Sequence, residues 1–330
     1  MKVLGMGNAL VDIVTELPDD SLLEKFDLRK GSMQLVEKEF SNHVLEKIQQ
    51  LKKTEMSGGS AANTICGLAA MGVETAFIGK VGKDRLGKVF ENDLVRNGIR
   101  PLLQYSDHET GHALALVSPD SERTFATYLG AAVELEPGDL TTELFREYTH
   151  FYIEGYLVQH HELIRRALEL AQDNEMTVIL DLASFNVVED NLEFLHFIAN
   201  EYADVIFANA DEARVYSNGK GVEDALAEIA KDCWIAVVKT GKEGSLIQNS
   251  NQVFRIPAIK VNCIDTTGAG DLYASGFLYG MLNNVELPLC GEMGSILAGK
   301  VIEQIGARIP EATWPEIKEL VKSVTYKNLR

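Results

Sequence analysis

Near the C-terminal end of the sequence, DTTGAGD (265–271) sets three residues with almost no side chain, Gly268, Ala269 and Gly270, directly before the carboxylate of Asp271. A helix-like run, LYASGFLYG, follows at once. Small residues let a ligand approach the main chain, and the first turn of a helix offers N–H groups without intrahelical partners together with the positive end of the helix dipole. The pattern describes an anion hole with a carboxylate on its rim. Phosphoryl transfer to an alcohol needs that pair: a base for the hydroxyl proton and donors for the charge on the phosphate. An aspartate that merely complements the dipole has the same local sequence, so the surrounding motifs must decide.

Four further clusters carry suitable donors and acceptors. GNALVD places Asn8 and Asp12 just beyond a first strand, and SGGSAANT places Gly58, Gly59 and Asn63 where a loop enters a helix. A carboxylate at 12 can accept hydrogen bonds from two sugar hydroxyls, and the Asn63 amide both donates and accepts. A plain turn capped by Ser60 or Asn63 fits the same residues. NADEA sets Asn209 and Glu212 one helical turn apart, as hard oxygen donors for Mg²⁺ or its waters or simply as a solvated helix start. KTGKEGS sets Thr240, Gly241 and Gly244 behind a strand, as a phosphate-contacting turn or a hairpin turn.

The elements that must hold these groups alternate between β-rich runs and segments of helical period. KVLGMGN reads as the first strand, SAANTICGLAAMG as a closely packed helix, ETAFIGKVG as the next strand, and RLGKVFENDLVRNG as an amphipathic helix stopped at Gly98. The alternation continues through THFYIEG, MTVILDLAS, DVIFANADEARVYS and CWIAVVKTGKEGSLIQ, which predicts an α/β fold with a mostly parallel sheet. The polar clusters then fall near the carboxyl ends of strands, where ligands collect in such sheets. Residues 12–35 and 100–128 break the rhythm. Their alternating strands and polar turns are expected to form a small antiparallel sheet, a lid over a cleft, although surface hairpins would read alike. Trp234 is expected in a strand core, and His160–His161 on the surface. The whole of 1–330 is expected to be one domain carrying that lid.

Bulk properties narrow the partners. The 330 residues carry a net charge of −18, which opposes binding to nucleic acid or to an anionic membrane. A polyanion such as ATP would need local devices to overcome that field. No run approaches the roughly 18 apolar residues of a membrane span, and the N-terminus lacks a secretory apolar core. The four cysteines are widely spaced, which fits reduced thiols and a cytoplasmic location. Two nucleotide fingerprints fail: GMGNAL puts Leu10 where a dinucleotide-binding third glycine belongs, and GKDRLGKV puts Val89 where a P-loop hydroxyl belongs.

Taken together, SGGSAANTICGLAAMGVETAFIGKVGKDRLG, NADE, KTGKEGS and IDTTGAGDLYASGFLYG resemble, in order and over nearly the whole chain, the ribokinase (PfkB-type) family of sugar and nucleoside kinases. The resemblance implies a doubly wound sheet flanked by helices, a β-lid over the acceptor, and ATP with Mg²⁺ as co-substrates. It puts the catalytic base on Asp271 with Gly268, Ala269 and Gly270 as the anion hole. Asp12, Gly59 and Asn63 fall on sugar-holding positions, beside Asn8 and Gly58. Asn209 and Glu212 fall on the motif that organises Mg²⁺ and phosphate, and Thr240 and Gly241, next to Gly244, on nucleotide contacts. Asp265 and Thr267, with the backbone near Val301, Gln304 and Gly306, match a K⁺ or other monovalent-cation site of some members. ERTFATYLGAAVEL looks most like bacterial adenosine-kinase-like members, which gives Arg123 the part of a lid arginine reaching the phosphate; a salt bridge to Glu122 or Asp120 is its alternative. The acceptor is then a nucleoside, or else ribose, fructose or ketodeoxygluconate, and pairing of two lids into a homodimer is open. A non-catalytic sensor of sugar or nucleotide and a nicotinamide dehydrogenase are the rivals; the first has no need of Asp271, and the second lacks its glycines.

Overall fold

The computed structural model describes residues 1–120 and 122–327, with side chains to residue 325 apart from Ser121. Its strands, in chain order, are β1 (Lys2–Met6), β2 (Leu10–Glu16), β3 (Met33–Leu35), β4 (Lys53–Gly58), β5 (Glu74–Gly82), β6 (Ile99–Ser106), β7 (Thr110–Val117) and β8 (Arg123–Gly130). They continue as β9 (His150–Glu154), β10 (Thr177–Asp181), β11 (Val205–Asn209), β12 (Ile235–Lys239), β13 (Ser245–Asn249) and β14 (Gln252–Ile256).

Nine of them form one sheet in the order β14-β13-β12-β11-β10-β9-β1-β5-β6. From β12 to β6 neighbouring strands run parallel, and β13 and β14 close one edge as an antiparallel hairpin. Parallel strands covered on both faces read as unbroken apolar runs, and VIL of β10, VIFA of β11 and IAVV of β12 are such runs. Successive side chains enter opposite cores: Phe151 and Ile153 of β9 join one, Tyr152 the other.

Each run ends in a polar residue. Glu154 lies opposite Asp181 across β9 and β10, and Asn209 lies opposite Lys239 across β11 and β12. A row of charged and amide groups therefore stands along the carboxyl edge of the sheet. Beside it, chain order reverses at β1, which sits between β5 and β9. That reversal opens the crevice in which doubly wound sheets take their ligands.

The second sheet has the order β3-β8-β7-β2-β4. Two features depart from the sequence expectation. β6 does not belong to it: residues 99–106 pair in parallel with β5 at the edge of the large sheet. Instead β4, from the polar stretch KTEMSG, pairs with β2. The small sheet is also mixed, since β2–β7 and β3–β8 run parallel while β2–β4 and β7–β8 are antiparallel. An edge strand with one half-open face alternates like a lid strand, so periodicity alone misplaces it. Ser121, inside the expected 100–128 lid segment, lies outside the described residues.

Trp234 is not in a strand core. It is 61% exposed, one residue before β12 begins. His161 opens the helix His161–Asp173 and stacks on Phe194 with ring centroids 3.8 Å apart.

Two helices do most to build the site. Ser60–Ala70 and Ala269–Leu282 pack side by side through small residues; a side chain on Gly67 would collide with Ser275. Ser275 Oγ donates to the carbonyl of Thr64 at 2.8 Å, and Thr64 Oγ1 donates to the carbonyl of Asp271 at 3.2 Å. The two N-termini are thereby fixed next to one another.

Candidate active site

Asp271 stands in the first turn of Ala269–Leu282 and is gripped from the neighbouring helix. Its Oδ1 accepts from Ser60 Oγ at 2.8 Å and its Oδ2 from Asn63 Nδ2 at 2.9 Å. Burial pushes its carboxyl up to about 6, with these two hydrogen bonds pulling the other way. Asn63, read from sequence as a sugar contact, thus spends its amide donor on Asp271. Its Oδ1 is buried and has no partner among the described residues.

Glu154 holds the other wall. One of its oxygens accepts from Asn8 N at 2.8 Å and Asn8 Nδ2 at 3.0 Å, the other from Ala61 N at 2.8 Å. Burial drives its carboxyl up to about 7. Asp12 on β2 is driven up to about 6 by burial, while Arg308 and Arg123 draw it back. Its carboxylate occupies the space that a side chain on Gly58 would need. Gly59 caps the helix with φ of 92°, and a Cβ there would stand 2.5 Å from the carbonyl oxygen of Asn8. Both glycines are thus required by close approach rather than by a free turn.

The anion hole is narrower than the sequence suggests. Gly268 adopts the left-handed conformation at φ 75°, and a Cβ would meet that of Ala307 at 2.6 Å. The N–H of Ala269 is already given to the carbonyl of Thr266 at 3.1 Å, so Ala269 supplies room rather than a donor. The N–H groups of Gly270 and Asp271 lie in the first turn, where no carbonyl four residues back belongs to the helix. They are the donors available to an anion.

The remaining candidates divide. Asn209 and Glu212 make a reciprocal cap: Asn209 Oδ1 accepts from the N–H of Asp211 and Glu212 at 2.9 Å, and the Glu212 oxygens accept from Asn209 N at 2.7 Å and Nδ2 at 2.5 Å. Burial raises the Glu212 carboxyl. The pair starts a helix, and both members also line the cleft. No three His, Cys, Asp or Glu side chains among the described residues converge as a metal cage. A hard cation held chiefly by phosphate oxygens and water fits this donor set. Gly241 and Gly244, at φ 61° and 99°, form the turn after β12 and line the cleft; Thr240, whose N–H bonds to the carbonyl of Gly244, does not.

Asp265 does not fit a monovalent cation. Its Oδ1 accepts from Thr267 N at 3.0 Å and Thr267 Oγ1 at 2.7 Å; its Oδ2 accepts from Gly306 N at 2.7 Å and faces Arg123 Nη1 at 3.1 Å. A carboxylate offers about four lone-pair sites, and all are taken, one by a permanent cation. Arg123 pairs with neither Glu122 nor Asp120, and its Nε and Nη2 are buried without partners among the described residues.

Asp12, Asn63, Glu154, Glu212, Gly270 and Asp271 line one continuous cleft of about 1230 Å³ between the two sheets; Gly58, Gly268, Asp265 and Arg123 are not among its lining residues. Sequence reading missed Ser60, Glu154, Asp181 and Lys239, all of which line it. The last three had a signal: each is the polar residue that ends an apolar strand. Lys239 Nζ lies 2.9 Å from Asp181 Oδ2, and Tyr152 OH reaches the same oxygen at 3.4 Å.

The comparisons agree with this geometry. The pfkB family carbohydrate kinase model matches residues 23–314, and the chain belongs to that family. It is similar to an adenosine kinase of Schizophyllum commune, 28% identical over 97% of this chain and 99% of the relative. It is also similar to a 5-dehydro-2-deoxygluconokinase of Clostridium botulinum, 29% identical over 85% and 88%. Among solved structures it resembles an adenosine kinase from Sinorhizobium meliloti, 34% identical with a TM-score of 0.85 over 96% and 98% of the two chains. A probable sugar kinase from Rhizobium etli is 32% identical with a TM-score of 0.87 over 98% of each chain. The protein is a kinase of nucleosides or sugars with a ribokinase-like fold, and its family implies ATP and a divalent metal. No described helix is long and apolar enough to cross a membrane.

Three outcomes follow. Replacing Asp271 by Asn should lower kcat about 10²–10⁴-fold with nucleotide binding retained, measured by coupled ADP release and calorimetry; turnover close to wild type would remove Asp271 as base. Because the ionised carboxylate is the active form, log kcat/KM should fall with decreasing pH through about 6 and level off above it. A flat profile from pH 5 to 8 would contradict the assignment. Exchanging K⁺ for choline at constant ionic strength should leave turnover unchanged, since Arg123 already neutralises Asp265.

Proposed function

We propose that the chain transfers the γ-phosphoryl group of ATP to the 5′-hydroxyl of a ribonucleoside, with adenosine the first candidate. The observation that carries this reading is the character of the acceptor wall. The lid side of the cleft is lined by Leu10, Met33, Leu35, Ala113, Phe125 and Leu129. The lysines lining the cleft, Lys239, Lys242 and Lys260, belong instead to the end of β12, the turn after it and the segment beyond β14. A sugar acid would leave its carboxylate against an apolar wall without a cation, which is costly. A purine buries apolar area there and stacks on an aromatic such as Phe125.

In this reading Asp12 and Asn8 hold the ribose hydroxyls, and the Asn63 oxygen accepts a hydrogen bond from the sugar. Asp271 takes the proton of the 5′-hydroxyl as that oxygen bonds to the γ-phosphorus and the bond to the bridging oxygen of ADP breaks. The N–H groups of Gly270 and Asp271 hold the phosphoryl oxygens. Mg²⁺ would supply neutralisation of the polyphosphate when bound, with the Glu212 oxygens, each accepting a single hydrogen bond, as hard donors beside the cleft. The small sheet, acting as a lid, excludes water and so limits idle hydrolysis of ATP. The four unpaired cysteines support a reducing, cytoplasmic setting.

A coupled ADP-release screen over nucleosides, ribose, fructose and sugar acids tests the acceptor. Adenosine or another nucleoside should exceed ribose in kcat/KM by at least about tenfold, the worth of roughly 1.4 kcal/mol of base burial. A sugar acid preferred over every nucleoside would overturn the reading.

A further inference from the structure

Lys239 ends β12 with its side chain 14% exposed, and its ammonium pairs with Asp181, itself 5% exposed. Burial alone would lower its pKa, yet Asp181, Glu212 and Asp271 together raise it, so it stays charged. The ammonium also lies 5.8 Å from the centre of the Phe207 ring. It stands 3.2 Å from the point a Cβ on Gly270 would occupy, so the cation packs directly against the anion-binding turn. A side chain at 270 would make the ammonium give way by a few tenths of an ångström. Of its three N–H groups, the structure commits one, to Asp181.

The surroundings argue against a purely structural pair. Six carboxylates line this cleft: Asp12, Glu154, Asp181, Asp190, Glu212 and Asp271. A nucleoside triphosphate is a polyanion and cannot enter such a field without fixed positive charge beside its phosphates. Lys242 and Lys260 sit further along the nucleotide side, on the turn after β12 and beyond β14. Lys239 stands against the turn that carries Asp271. A buried ion pair is also weak evidence of stabilisation, since apolar replacements often fold as well.

We propose that Lys239 is a further catalytic residue: its ammonium contacts the transferred phosphoryl group beside the Gly270 and Asp271 amides, while Asp181 acts as the positioning residue that aims it. This inference rests on the kinase reading of the cleft. It assigns the γ-phosphate, rather than the nucleoside end of ATP, as the group Lys239 recognises.

The test replaces both charges at once, Lys239→Met with Asp181→Asn, so that no unpaired charge is buried, and measures ADP and β,γ-imido-ATP binding by calorimetry alongside turnover. The double variant should keep its circular dichroism and melting temperature, bind ADP like wild type, and bind β,γ-imido-ATP about tenfold or more weakly, the worth of a lost hydrogen bond to a charged group. Its kcat should fall about 10²-fold or more, as when a preorganised transition-state donor is removed. Lys239→Arg, which keeps the charge and the pairing to Asp181, should recover part of that loss without altering the melt. Equal affinities for the two nucleotides in wild type and double variant, with kcat unchanged, would overturn the proposal. So would parallel loss of both nucleotides and of thermal stability, the mark of a structural pair. If the double variant does not fold, full wild-type kcat in Lys239→Arg with a lowered melt would overturn it equally. Should wild type release no ADP with any acceptor, the kinase reading itself fails, while the two affinities still report on Lys239.

Discussion

Everything in the cleft is referred to the seam between two helix N-termini. Ser60 and Asn63, on one helix, hold the two oxygens of Asp271 on the other, while Thr64 and Ser275 tie their backbones together. Gly67 permits the approach and Gly268 turns the chain so that the second helix starts where it does. Two positive dipole ends then converge on one space, and a carboxylate is immobilised between them. Loosening that seam would move the Asp271 carboxylate and the first-turn amides of Gly270 and Asp271 together.

The same space reconciles an acidic protein with an anionic substrate. Burial raises the carboxyls of Asp12 and Asp271 to about 6 and that of Glu154 to about 7. Fixed positive partners are distributed among them: Arg308 and Arg123 near Asp12, Arg123 on Asp265, Lys239 on Asp181. Cation and carboxylate alternate along the wall, so the local field differs from that of the surface carrying −18. Arg123 also links strand β8 of the small sheet to the loop before the helix Ala269–Leu282 through its ion pair with Asp265.

Much of this was legible in the sequence. The unbroken apolar runs announced a parallel sheet, and GAGD before a helical run announced an amide cradle with a carboxylate. Glu154, Asp181 and Lys239 were less visible, because a single polar residue ending a strand carries no motif; only pairing of β9 with β10 and of β11 with β12 places them in one row. The strands of the small sheet were blurred for a related reason. β6, expected in the small sheet, joins the large one, and β4, for which the sequence reading offered no strand, lies 40 residues before it and joins the small one; local alternation reads the same in either place.

What the sequence determined by itself is local chemistry: which residues lack side chains, where helices can start, and which carboxylates and amides stand next to such starts. Those properties depend on spacing along the chain. Tertiary structure alone decided partners. It gave the Asn63 donor to Asp271, closed Asn209 and Glu212 into a cap, filled the lone pairs of Asp265 with Thr267, Gly306 and Arg123, and set Lys239 against Gly270. Hydrogen bonds and charges act over a few ångströms in space, and residues up to 251 positions apart meet across that distance only after the sheet and its helices have packed.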